Sequence, residues 1–258
     1  MPKIGSIGIV IPARLDSKRL PRKLMEQFNG LPMLEHVRRR ALMNSHGVEV
    51  VVVSGDDEIL TLIQTNGGTA LKSKHEHPNG LSRIGEVADE LHWENLIILQ
   101  GDEILVLPRH LDEIIEQVQK SRGFMALNSV TKLNESAELS DVSIVKCLLN
   151  ENQEIINLFR GQPLTSKLEV QLNLVKKICG LFAINRQILK KLVNSIPTPI
   201  ETSEMIEQMR ILEYGFKLES KHLDKNTPSI NIFRDIAKVR DALLSDPEQI
   251  KILREVLR

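Results

Sequence analysis

Apolar runs and helical periodicities alternate along the first half of the chain. Residues 7–11, 49–54 and 96–100 form near-continuous apolar stretches bounded by turn residues or glycine, a pattern that predicts strands buried on both faces of a parallel sheet. Between them, Met33, Leu34, Val37 and Ala41 recur at helical spacing behind Pro32, which suits a first helical position. Residues 57–64 predict a second helix ended near Asn66-Gly67-Gly68, and Leu111, Ile114, Ile115 and Val118 make one face of a third. This β-α-β-α order predicts an α/β fold with a doubly wound, mostly parallel sheet, in which ligands bind beyond the carboxyl ends of the strands. The second half is less regular: strands over 143–149 and 177–184, one amphipathic helix over 201–214, and helical periodicity over 236–257. Residues 1–258 read as a single domain, with about 132–200 as a smaller subdomain or dimerisation arm.

Composition narrows the class. Of 258 residues 41% are hydrophobic and 26% charged, and 34 Lys plus Arg balance 34 Asp plus Glu, for a formal net charge of zero. A surface without basic excess argues against a general nucleic-acid partner. The apolar runs fall well short of the ~20 residues that span a bilayer. The start Met1-Pro2-Lys3 lacks a small-residue cleavage site, so a cytoplasmic location is expected. Cys147 and Cys179 are too few for a disulfide framework or a cysteine-only zinc site and read as buried thiols. Aromatic residues make up only 3%, so a sugar or base would be held by hydrogen bonds and charges rather than by stacking.

Two strand ends carry candidate chemistry. Residues 11–23 read I-P-A-R-L-D-S-K-R-L-P-R-K, so Arg14, Lys18, Arg19 and Lys23 follow the first strand. Such a loop can surround a triphosphate, or it can be a solvated basic loop. Gln100-Gly101-Asp102-Glu103 follows the third strand, where a carboxylate can share Mg²⁺ with phosphate oxygens; a solvated acidic turn is the plain alternative. Neither a P-loop nor a G-x-G-x-x-G turn occurs.

The ordered set of motifs is more specific. I-P-A-R, R-L-P with Lys23, N-G-x-P-M at 29–33, Gly80, Arg83-Ile84, Q-G-D-E at 100–103, Val145-Lys146, Phe159-Arg160, Pro199-x-Glu201 and Glu207-Gln208-x-Arg210 resemble the 3-deoxy-manno-octulosonate (Kdo) cytidylyltransferases, over almost the whole length. The resemblance implies a nucleotide-diphospho-sugar transferase-like fold, a homodimer, and transfer of CMP from CTP to the anomeric hydroxyl of a 2-keto sugar acid with Mg²⁺, for lipopolysaccharide or capsule assembly. It implies Arg14, Ser17 and Lys23 on the phosphates, Ser73, Arg83 and Gln100 at the cytidine, and Asp102 as metal ligand, with Arg14, Lys23 and Asp102 carrying catalysis. Arg160, Glu201, Glu204 and Gln208 would face the sugar acid, the last three as one polar stripe at i, i+3 and i+7. The apolar stretch 155–184, with Leu158, Phe159, Val175, Ile178 and Leu181, is the expected dimer contact.

The chain also departs from the family pattern. Arg22 replaces the glycine after R-L-P, Ile104 the proline after Q-G-D-E, Ser54-Gly55 a threonine-aspartate pair, and Ile178 a histidine. Asn231 stands where the second metal ligand, an aspartate, is expected; an amide oxygen can still coordinate Mg²⁺ with one less unit of neutralising charge. Asp235 reads as a helix-start residue. Three readings stay open: a Kdo enzyme, a relative loading CMP onto another 2-keto sugar acid, and a non-catalytic nucleotide-binding protein.

Overall fold

The first strand, β1 (Ile7–Ala13), offers no charged side chain, and it lies in the middle of a nine-stranded mixed sheet. The computed structural model describes residues 6–258 apart from Lys18, Arg122, Asn134, Pro163 and Asn231. After β1, a 3₁₀ turn (Lys23–Met25) and a small hairpin of β2 (Gln27–Phe28) and β3 (Leu31–Pro32) lead into α1 (Met33–Leu42). Next come β4 (Val50–Ser54), α2 (Asp57–Thr65), β5 (Thr69–Lys72), α3 (Gly80–Glu86), β6 (Asn95–Leu99) and α4 (Pro108–Lys120). β4 pairs with one side of β1 and β6 with the other, both parallel, and β5 lies beyond β4. The strand order therefore reverses between β1 and β6, and the diverging connections leave a crevice at their carboxyl ends.

The second half supplies β7 (Ala126–Lys132), α5 (Ala137–Ser140), β8 (Lys146–Leu149), β9 (Ile155–Phe159), α6 (Leu168–Leu174) and β10 (Lys176–Asn185). It ends with α7 (Arg186–Val193), α8 (Pro199–Glu204), α9 (Met209–Glu213), β11 (Leu218–His222), α10 (Phe233–Ser245) and α11 (Pro247–Val256). β10 runs antiparallel between β6 and β7, and β11 closes the edge parallel to β7. Side-chain alternation splits the core into two layers. Ile9, Ile11, Val52, Ile97 and Leu99 pack against α1 and α4. Val10, Val51, Val53 and Ile98 pack against α3 and α7. Residues 132–200 contribute an extension, the β8–β9 hairpin with α6, which has a small cluster of its own around Leu139, Phe159 and Val175. Cys147, Ile155 and Leu158 from the same stretch join the main core.

Several expected elements are corrected. Pro32 ends β3 as the residue before α1, whose first residue is Met33. The strand expected over 143–149 starts only at Lys146, because Ser143 donates its N–H to Asp141 Oδ1 in a turn at 2.8 Å. The helical periodicity over 236–257 resolves into two helices, since Pro247 cannot continue α10 and Asp246 caps α11 by accepting the N–H groups of Glu248 and Gln249. The helix expected over 201–214 is also two: Met205 adopts φ 53 and ends α8.

Arg22 also sits in the left-handed region, at φ 58, where the family pattern carries glycine. A side chain there crowds the following carbonyl, whereas glycine adopts the conformation freely. Comparing Arg22→Gly with Arg22→Ala isolates this backbone effect, because both lose the same side-chain contacts. The glycine variant is expected to unfold at a midpoint about 2 °C higher in a thermal melt; equal midpoints would show that the loop absorbs the strain.

Candidate active site

The loop after β1 is fixed to the neighbouring strand end before it reaches any ligand. Leu15 donates its N–H to Asp56 Oδ2 at 2.9 Å, Arg22 donates its N–H to the Leu15 carbonyl at 2.9 Å, and the Arg22 guanidinium meets Glu58 Oε1 at 2.5 Å. Asp56 and Glu58 belong to the start of α2, immediately after β4. Held there, the loop lines a cavity of about 360 Å³ with Arg14, Ser17 and Lys23; Arg83 enters from α3, Gln100 and Asp102 from the end of β6, and Glu207 and Gln208 from the turn before α9. The cavity occupies the crevice that the strand order creates.

Its charges are arranged in contact. The Lys23 ammonium donates to Asp102 Oδ2 and also to the Ile230 carbonyl at 3.0 Å. Arg83 donates to Ser73 Oγ at 3.1 Å, and burial pulls its pKa down against the favourable charge of Asp56. Ser73 thus stands behind Arg83 and orients it; it is buried and does not line the cavity. Burial pushes the Glu207 carboxyl up to about 7, although it accepts the Leu81 N–H at 3.3 Å, with Glu201 adding repulsion. Behind Asp102, burial and the Asp102 charge push Glu103 up to about 8, and Cys147 and Cys179 are held near 12 by burial. Burial therefore disfavours both thiolates at neutral pH, with Cys147 inside the core and Cys179 partly exposed at the cavity wall.

Of the residues expected at the site, Arg14, Ser17, Lys23, Arg83, Gln100, Asp102 and Gln208 meet in this one cavity. Arg160, Glu201 and Glu204 do not. Because Met205 breaks the helix, the i, i+3, i+7 stripe does not form. Glu201 instead caps α8 and accepts both Arg210 Nε and Nη2, at 2.6 and 2.7 Å. Arg160 spends its guanidinium on the carbonyls of Glu204, Val142, Ser143 and Met205, and the Glu204 carboxylate accepts the Arg160 N–H at 3.2 Å. Asn231, the expected second metal ligand, and Lys18 lie outside the described residues. Asp235 accepts the Ile232 N–H at 2.9 Å at the start of α10, as a helix-start residue should. Two residues were missed: Glu207, adjacent to Gln208 but off the assumed stripe, and Asp56, whose signal was its place directly after a buried strand.

The donor set suits Mg²⁺. Asp102 offers a hard carboxylate beside the cations that would take the phosphates, and Mg²⁺ is commonly held by one or two carboxylates plus substrate phosphates and waters. A second grouping, His110, Glu113 and Asp224, has ligand-compatible spacing, but Arg109 already sits 2.7 Å from Asp224 and 3.8 Å from Glu113.

The cytidylyltransferase family model matches residues 8–223. The chain belongs to the cytidylyltransferase family. It is therefore a nucleotidyl-transferring enzyme by descent. It is similar to 3-deoxy-manno-octulosonate cytidylyltransferases from Chlorobium limicola (29% identical, covering 91% of this chain and 96% of the relative) and Glaesserella parasuis (30%, covering 92% and 97%). Among solved structures it resembles CMP:2-keto-3-deoxy-manno-octonic acid synthetase complexed with CTP, with a TM-score of 0.86 and 27% identity over 93% of this chain and 99% of that one. The inositol-1-phosphate CTP transferase of T. maritima, at a TM-score of 0.64 and 17% identity over 96% of each chain, shares the fold. No helix among the described residues is long and apolar enough to cross a membrane.

The raised Glu207 carboxyl has a consequence for stability. Its folded pKa of about 7 exceeds the ordinary 4.5. Below the lower value it is protonated in both states and burial costs nothing; as pH rises toward 7 and beyond, the folded state holds or ionises it at growing cost. Glu207→Gln is expected to be more stable than the native chain at pH 8, by about 2 kcal/mol in urea unfolding, with the difference vanishing near pH 4. A constant difference across pH would refute the burial argument.

Proposed function

We propose that the chain transfers CMP from CTP to the anomeric hydroxyl of a 2-keto sugar acid of the Kdo type. The observation that carries this reading is the meeting of Arg14, Ser17, Lys23 and Asp102 with Gln100, Glu207 and Gln208 in one cavity of a cytidylyltransferase fold. Arg14 and Lys23 neutralise the triphosphate, and Ser17 donates a hydroxyl to it. Arg83, oriented by Ser73, and Gln100 hold the cytidine, while Glu207 and Gln208 hydrogen-bond hydroxyls of the acceptor. Mg²⁺ on Asp102 would supply Lewis-acid neutralisation of phosphate oxygens. The acceptor hydroxyl oxygen attacks the α-phosphorus and its proton passes to solvent, while the bond to the bridging oxygen breaks and its electron pair leaves with pyrophosphate. Positioning and charge neutralisation supply the rate, since no protein nucleophile is required.

A CMP-activated 2-keto acid is a glycosyl donor suited to lipopolysaccharide or capsule assembly, and the use of CTP supports a cytoplasmic reaction. The expected contact residues Leu158, Phe159, Val175 and Leu181 are buried within the chain, which removes them as the basis for a dimer. The extension nevertheless exposes Ile156 on β9 and Leu168, Val170 and Leu174 on α6, and these support a homodimer through that face. Light scattering at micromolar concentration is expected to give twice the 29.2 kDa chain mass; a monomer would end the dimer.

Pyrophosphate release with CTP and a panel of 2-keto sugar acids tests the activity, and release with none of them would overturn it. Lys23→Ala is expected to weaken CTP binding by about tenfold or more while leaving CMP binding within about twofold, because only CTP carries the β- and γ-phosphates a point charge would hold. Equal losses for both nucleotides, read by titration calorimetry, would show the lysine to be remote from the phosphates.

A further inference from the structure

Lys23 is not poised free for a phosphate. Its ammonium is engaged with Asp102 Oδ2 and with the Ile230 carbonyl at 3.0 Å, so two of its three donors are committed before any ligand arrives. The pair is not an ordinary surface contact, for the two side chains are only 14% and 15% exposed. Asp102 is the carboxylate offered to a divalent cation, and a dication cannot settle on it while an ammonium is in contact with the same group. The one cavity ligand able to draw Lys23 away is a dense anion.

We infer that Lys23 is a latch on the metal carboxylate: it closes Asp102 in the free chain and opens it when a triphosphate draws the lysine onto its β- and γ-oxygens. This inference rests on the nucleotide reading for its physiological trigger, but the contact itself is independent of it. The consequence is that triphosphate and divalent cation bind cooperatively, and reciprocally so, although the protein places a lysine and not a ligand between them. CMP lacks the outer phosphates and leaves the latch closed. When pyrophosphate departs, the lysine returns to Asp102 and to the Ile230 carbonyl, and the site resets. Ile230 lies on the segment between β11 and α10, so the same movement breaks one hydrogen bond between that segment and the loop after β1.

Two binding experiments on the full chain test this without any turnover. In the first, Mn²⁺ alone is titrated and free Mn²⁺ is read by electron paramagnetic resonance. Lys23→Met is expected to bind Mn²⁺ about tenfold more tightly than the native chain, within the range of coupled sites. The gain should disappear in the Lys23→Met, Asp102→Asn double variant. No gain, or a gain that survives loss of Asp102, would overturn the latch, the latter showing only relieved repulsion. In the second, CTP is titrated calorimetrically in EDTA. Asp102→Asn is expected to tighten metal-free CTP binding by about tenfold when Lys23 is present and by less than about threefold in Lys23→Met, the non-additivity measuring the contact. Equal tightening in both backgrounds would again overturn it. Absence of CTP binding to the native chain with Mg²⁺ present would instead remove the nucleotide reading, leaving the Mn²⁺ comparison to decide the latch.

Discussion

The reversal of strand order beside β1 is the constraint on which the site depends. The chain leaves β1 toward β4 and β5 on one side and returns through β6 on the other, so the loops after β1 and β6 diverge from a common line of strand ends. Phe182 and Cys179 from β10 wall the space that opens beside them. Both loops begin in strands whose core positions are almost fully buried, and this fixes where Arg14 and Gln100 leave the sheet. The cavity is a product of topology, and the residues only decide what it holds.

What they decide is mostly electrostatic. The loop after β1 brings cations into a cleft walled by Phe182, Ile98 and other apolar atoms, where charge is less screened than at the surface. Such a loop would repel itself outward unless tied down. Asp56 holds the Leu15 N–H, Glu58 holds Arg22, and Asp102 holds Lys23. Each carboxylate follows a parallel strand of the same sheet, either directly or at the start of the next helix. The anions that hold the loop, Asp102 among them, thus come from one architectural feature, the carboxyl edge of the sheet.

Much of this was readable in the sequence, for reasons specific to each part. Ile9–Ile11, the valines of β4 and the apolar run in β6 can only be buried strands, so the fold class and the positions of Arg14 and Gln100 to Asp102 followed. The acceptor side was misread because the helical periodicity of residues 201–214 is genuine on paper. Glu201, Glu204 and Gln208 do recur at helical spacing, but nothing in Met205 announces a left-handed conformation, since methionine is an ordinary helix former. The break moves Glu207 into the cavity and turns Glu201 inward onto Arg210. Arg160 stays out of the cavity lining for a related reason: an arginine after an apolar strand reads equally as a ligand or as a cap for stray carbonyls, and here four carbonyls accept from it.

The departures from the family pattern acquire a physical sense once placed. Ile104 is fully buried under the loop after β6, where an apolar side chain packs as a proline would. Ser54 is buried at the end of β4 and accepts the N–H of Asp56 through its hydroxyl at 3.1 Å, so the segment retains an acid at Asp56 aimed at the loop after β1. Arg22 gives up the conformational freedom of glycine and gains Glu58 as a partner. Ile178 packs among apolar side chains and does not line the cavity. These four changes therefore alter how the walls are supported, whereas the polar groups that face the cavity from the ends of β1 and β6 are Arg14, Ser17, Arg19, Lys23, Gln100 and Asp102. An ion pair at the depth of Lys23 and Asp102 costs desolvation that apolar residues would avoid. What offsets that cost in the free chain is the tie it makes on the loop after β1, together with the second hydrogen bond from Lys23 to the Ile230 carbonyl.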